Sequence, residues 1–267
     1  NLMASSASVR SNARLALKDR YLKCTAASLS LVFTQIIILM ICSAVSVMGN
    51  SIAVWIVRLL FHLFLSFPLF LGTVKYFKRL IFGIEDAVID VFYYFSEIKL
   101  YKKALKFTFS FFVNLALKAL ISFLPAIIVR ILTRSYFYEF FDLKVPQIAA
   151  NLWAAGNIFV FIGTVCFLIL ALKLYLAPFL FVADENMCPA ECITVSVIIS
   201  RISFSSFVFL LFSLSFYIII SLSFVPLVFT APFFFACYAV HSRYAVSQYN
   251  GHIDADIHNC HCYEANI

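Results

Sequence analysis

The sequence predicts an all-α polytopic membrane bundle of about six transmembrane helices, with an amphipathic cytoplasmic or interfacial helix between spans two and three. Three observations predict it. Of the 267 residues, 64% are hydrophobic and only 12% charged, with a mean hydropathy of +0.99. Soluble domains carry about a quarter charged residues, so lipid must solvate much of this surface. The apolar residues gather in runs near the roughly 20 residues of a spanning helix, without the alternation of barrel strands. Lysine and arginine are segregated to alternate connections.

The runs are Thr25–Val47, Ser51–Thr73, Phe107–Thr133, Asn157–Val182, Phe204–Val225 and Leu227–Val240. The last is short and could continue as helix through Tyr249. Pro226 sits in the turn before it, and Pro232 is placed to kink it. This divides the chain into a basic amphipathic cytoplasmic segment (1–24), a transmembrane helical domain (25–249) and a polar cytoplasmic tail (250–267). Asn1 is no initiator, so the chain is a piece of a longer one or starts naturally at Met3. The first run is long for a signal-peptide core, which spans roughly 7–15 residues, so it reads as a retained helix.

Orientation follows from the cations. Arg10, Arg14, Lys18, Arg20 and Lys23 precede the first span, and Lys75, Lys78, Arg79, Lys99, Lys102, Lys103 and Lys106 lie between the second and third. The opposite connections hold Arg134 and Lys144. Both termini are therefore expected in the cytoplasm, in a multi-pass protein of the cell membrane. The net charge of +7 follows this pattern, and no nucleic acid partner is implied.

Acids mark one exit. The fourth run stops at Asp184-Glu185-Asn186 and resumes behind Pro189 as "PAECITVS", read as a short helix leading to the fifth span. Between spans two and three, Ile84, Ala87, Val88, Val91, Phe92, Phe95 and Ile98 recur at helical spacing. That helix either lies on anionic headgroups at the inner face or docks on the protein's own cytoplasmic loops.

The chemistry-bearing residues are few. No G-x-S-x-G, H-E-x-x-H or phosphate-binding glycine loop is present, so no enzyme and no cofactor is expected. The cysteines lie in spans or toward the cytoplasm, where thiols stay reduced. His62 is read as the only histidine at depth, packed and hydrogen-bonded. In the tail, His258, Cys260, His261 and Cys262 have the composition of a soft-metal site, though C-x-C is not the usual knuckle spacing. An incidental disordered terminus is the competing reading.

Arg58, Lys118, Arg130 and Lys173 are the cations within the runs. Arg58, Arg130 and Lys173 can snorkel. Lys118 lies twelve residues from both Lys106 and Arg130, about 18 Å from either flank. Ser110, Asn114, Lys118 and Ser122 form one stripe, which makes Lys118, Asn114 and Ser122 candidate binding residues, with Ser206 and Ser213 as possible neighbours. A lysine snorkelling through a thinned bilayer is the alternative.

The residues Tyr175, Pro178-Phe179, Asp184, Cys192 with Ser196, and Pro232-Phe233 form a pattern over the second half of the chain. With the basic start "VRSNARLALKDRYLK", this pattern resembles the bacterial multi-pass membrane family called domain of unknown function 975. Pro178 is one residue further from Asp184 than in that pattern, and Cys192 replaces an alanine. The resemblance implies six helices in a bacterial cytoplasmic membrane and no particular activity.

Two functional classes remain. One is a non-catalytic membrane component that binds lipid or partner proteins, its partners being the bilayer, anionic headgroups at the inner face, and a membrane protein or second copy. The other is a small carrier or channel for an anionic or amphiphilic solute, with Lys118 as its site.

Overall fold

The computed structural model describes residues 5–47, 51–84, 87–132, 146–184, 186–220 and 224–264, and for 132, 146–153, 216, 218, 220, 224–226 and 252–264 the backbone alone. The described elements are helical. They are α1 Ser6–Leu17, α2 Tyr21–Ser46, α3 Ser51–Phe61, α4 Phe67–Ile81, α5 Ile98–Leu132, α6 Pro146–Leu172, α7 Ala177–Ala183, α8 Pro189–Ile220 and α9 Phe224–Glu264. A π-helical turn, His62–Ser66, joins α3 to α4, and a 3-10 helix, Val88–Phe95, precedes α5. Five stretches are long and apolar enough to cross a membrane: Tyr21–Ser46, Ser51–Ile81, Ile98–Ile131, Ala154–Ala183 and Pro189–Ser215. The protein is thus an all-α, polytopic membrane protein.

The expected sixth run, Leu227–Val240, is not among those five; it opens the 41-residue α9. Packing still shows that α9 retraces the path of α8. Tyr217 meets Phe233 at 5.7 Å between ring centroids, and Phe207 meets His241 at 5.4 Å. Along α4, Phe235 touches both Phe70 and Phe77, and Arg243 lies over Phe82. So α9 runs parallel to α4 and antiparallel to α8.

The chain forms two compact units, one of Asn1–Phe109 with Leu176–Ile267, the other Ser110–Tyr175. In the first, burial is concentrated at the end bearing Lys75, Lys78, Arg79 and Arg243. There Leu69, Leu71, Val74, Phe77, Phe181, Ile199 and Val240 are buried. Toward the other end, Phe33, Met40, Trp55, Leu59, Phe209 and Phe212 are exposed. Lipid is as apolar as leucine, so helices gain little by hiding such side chains from it. Near water the hydrophobic effect returns, at roughly 1.5–3 kcal/mol per large side chain buried. The basic end is where this unit can build a core.

Prolines shape that layer. Pro178 has no N–H for the Leu174 carbonyl, so the expected continuous fourth span turns at 173–176 and restarts as α7. Every residue from Ala177 to Val182 is buried, and the Lys78 ammonium donates to the Val182 and Ala183 carbonyls at its end. Pro68 likewise orphans the Phe64 carbonyl beside the π turn, and the Tyr101 hydroxyl donates to it at 3.0 Å. Near Pro232, the Tyr21 hydroxyl donates to the Phe229 carbonyl.

Two sequence expectations are corrected. "PAECITVS" is no separate helix: it is the start of the 32-residue α8, whose Cys192, Ser196, Ile199, Ser200 and Ser203 are buried in the basic-end layer. At about 48 Å, α8 is long enough to serve that layer and cross lipid too. The segment after span two is a 3-10 helix packed on α4 and α2. With three residues per turn, Val88, Val91 and Tyr94 stack on one face; Val91 and Tyr94 are buried, while Ile84, Ile89, Phe92 and Ile98 are exposed. Asp90 starts it by accepting from the Ala87 N–H, and Val91 sits in a notch at Gly72.

In the second unit, α5 and α6 pair through small residues. Gly163 lies against the Ser122 carbonyl and the Phe123 ring, and Arg130 donates to the Asn157 side chain at 3.2 Å. Only 6% of the most apolar stretch of α5 is buried, against 33% for α8, which leaves α5 largely to lipid.

Candidate functional site

The site begins with α1. Ser5 caps it, its hydroxyl accepting from the Ser8 N–H. Val9, Ala13 and Leu17, spaced every four residues, are buried against α9 and its neighbours. Arg10, Arg14 and Lys18 stand one residue further on, in a parallel row about 100° around the helix. Asp19 takes a left-handed conformation, φ 64°, which lets the chain turn directly into α2. That turn brings Arg20 and Lys23 toward the end of α4 and the middle of α9.

Between these elements lies a cleft of about 910 Å³, lined among others by Lys18, Arg20, Lys23, Arg243, Asp19 and Tyr244. Among the described residues, four cations and one carboxylate line it. The Arg243 guanidinium lies 4.5 Å above the Phe82 ring, which holds it at the rim. Asn12 donates to the Tyr244 hydroxyl at 2.6 Å, joining α1 to α9 across the floor. The arrangement can hold a phosphate or carboxylate through several charge-assisted hydrogen bonds. Lys18, Arg20 and Lys23 were visible as a basic flank, but Arg243 came from beyond the expected last span.

The acids of the nearby loop have structural work. Asp184 accepts from the Asn186 N–H at 2.9 Å, and Glu191 from the Cys188 N–H at 3.1 Å. These bonds tie the turn between α7 and α8.

A second polar feature was missed. Besides His62, His241 is buried, 2% exposed, and its Nε2 is 3.1 Å from the Ser206 hydroxyl. That hydroxyl also reaches the Ser203 carbonyl at 2.8 Å. Both contacts are satisfied when the hydroxyl donates to the carbonyl and accepts from a protonated Nε2. Sequence reading ended the span at Val240 because His241, Ser242 and Arg243 look like an exit. A signal was available in Ser196, Ser200 and Ser203, a polar seam at i, i+4 and i+7 on α8.

The Lys118 group is placed in the second unit. Asn114 spends its amide on the Ser110 carbonyl of its own helix, at 3.0 Å. The Ser122 carbonyl lies against Gly163 of α6, and its hydroxyl is buried and without a partner among the described residues. Lys118 is half-buried, and no described residue hydrogen-bonds to it or pairs with it. Ser206, proposed as its neighbour, is engaged with Ser203 and His241. The side chains of His258, Cys260, His261 and Cys262 lie outside the described residues, as does the connection over 133–145. Among the described residues no cluster of three or more His, Cys, Asp or Glu could hold a metal.

Comparison with protein-family models, curated proteins and solved structures found no match.

Proposed function

We propose that the protein is a non-catalytic component of a bacterial cytoplasmic membrane, with both termini in the cytoplasm, whose basic-end layer engages anionic lipid headgroups of the inner leaflet. The cleft of Lys18, Arg20, Lys23 and Arg243 carries this reading. Its cations converge at the end of the molecule that the positive-inside rule assigns to the cytoplasm, where anionic lipids attract basic segments. The Ser206–His241 pair supports the non-catalytic part, because a serine that donates to a backbone carbonyl is not activated as a nucleophile.

The resemblance to domain of unknown function 975 belongs to the same proposal. Pro178 opens α7, Asp184 closes it, Cys192 and Ser196 lie on the buried face of α8, and Pro232 lies in α9.

The test compares purified protein in nanodiscs of phosphatidylcholine with discs containing phosphatidylglycerol. The expected result is a higher unfolding temperature with the anionic lipid, a gain mostly erased by about 0.5 M salt, which shortens screening to a few ångström. Replacing Lys23 and Arg243 together by glutamine should reduce that gain. Identical unfolding in both lipids would refute the reading.

A further inference from the structure

We infer that a groove on the other side of α1 is a specific site for one anionic glycerophospholipid, with the phosphate on Arg10, Arg14 and Lys18 and an acyl chain along Tyr217, Phe229 and Phe233. This rests on the anionic-lipid reading above and adds to it a defined site, a stoichiometry and a chain-binding wall.

The groove measures about 900 Å³, within the roughly 300–1,000 Å³ range of small-molecule sites. One wall is the row Arg10, Arg14 and Lys18, spaced about 6 Å apart along α1. Its register is set by burial: Val9, Ala13 and Leu17 are held in the core, so the next residue in each turn must line the groove. Arg10 uses Nε on the Ser6 carbonyl, Arg14 lies 5.9 Å from the Phe233 centroid, and none of the three meets a carboxylate among the described residues. Among the described residues, Asp19 is the only acid in the lining.

The opposite wall is aromatic and comes from the α8–α9 hairpin, as Tyr217, Phe229 and Phe233. Phe229 is 58% exposed. It lies twelve residues, about 18 Å along α9, from His241 in the basic-end layer, so this wall extends into the apolar zone. The Tyr21 hydroxyl on the Phe229 carbonyl holds the two walls together. A soluble phosphate would satisfy the cations and leave the aromatic wall bare. A lipid satisfies both, because its charge and its chain are joined in the same order as the walls.

Native mass spectrometry of the full chain in a neutral detergent tests this. Dioleoyl phosphatidylglycerol should be retained as one tightly bound copy, and phosphatidylcholine should not. Replacing Arg10 and Arg14 by glutamine should weaken the anionic lipid by about tenfold or more, since both charges act on one headgroup. Phe229→Ser, at an exposed position that folding does not require, should weaken it several-fold by removing chain contact. Lys23→Gln with Arg243→Gln should leave the retained lipid in place. Glycerol 3-phosphate and inorganic phosphate should not displace it. Displacement by either would make this a soluble-phosphate site and overturn the proposal, as would an unchanged affinity in either the double arginine variant or Phe229→Ser. Loss of the retained lipid with Lys23→Gln and Arg243→Gln alone would move the site to the other cleft. If nanodisc stability depends on anionic lipid but no single lipid is retained, this site falls and the broader function stands; if stability shows no such dependence, both fall.

Discussion

Gly72→Ala is expected to undock the Val88–Phe95 helix and to cost about 3 kcal/mol or more, the upper end for overpacking a core. A Cβ at position 72 would lie 1.8 Å from the Val91 carbonyl oxygen and 2.9 Å from its carbon. Both are backbone atoms, so no side chain can swing aside. Either α4 moves, which disturbs Phe77 and its stack on Phe235, or Val91 and Tyr94 leave the core. The second route is cheaper and predicts faster proteolysis within 84–98. Gly251→Ala is the control. Nothing lies within 4 Å of its Cβ position, and alanine in a helix should be neutral or slightly stabilising. A Gly72→Ala protein that melts with the parent and resists protease equally would disprove the docking.

The second large effect is expected at Gly163. Its added Cβ would meet the Ser122 carbonyl oxygen at 2.7 Å and the Phe123 ring at 3.0 Å. Close approach of small residues drives helix association in lipid, where hydrophobic burial adds little. Gly163→Leu should therefore separate α5 from α6, whereas Gly156→Ala meets neighbours at 3.6 Å or more and should be tolerated. Cysteines replacing Phe123 and Phe167, whose ring centroids are 6.1 Å apart, report the pairing by crosslinking in membranes. Crosslinking should fall sharply with Gly163→Leu and persist with Gly156→Ala. Undiminished crosslinking in the leucine variant would show that the pair does not depend on this notch.

The all-helical, membrane-embedded character was legible because hydropathy and length report it directly. Hydropathy does not separate a phenylalanine facing lipid from one facing protein. Phe161 and Phe181 look alike in sequence, yet the first is 70% exposed and the second 1%. That is why the burial of α7, at the end of the fourth apolar stretch, was not legible in the sequence. The 3-10 helix was missed because "VIDVFYYF" is apolar on several faces, so periods of 3 and 3.6 fit it comparably. The basic flank of α1 was readable as Arg10, Arg14 and Lys18. Its clefts were not, because each takes part of its opposite wall from residues more than 190 positions away, such as Tyr217 and Arg243. Ser110, Asn114, Lys118 and Ser122 all lie on α5, but periodicity carries no information on what faces them.

Orientation of the basic-end layer is the central claim, and single-cysteine labelling in intact cells tests it most directly. On a background with the native cysteines replaced, position 47 beyond the end of α2 and position 247 on the basic end of α9 would each carry the sole cysteine. A membrane-impermeant maleimide should label position 47 from outside and reach position 247 only after permeabilisation. Labelling of position 247 from outside intact cells would place the cationic layer on the wrong side of the membrane and contradict the account.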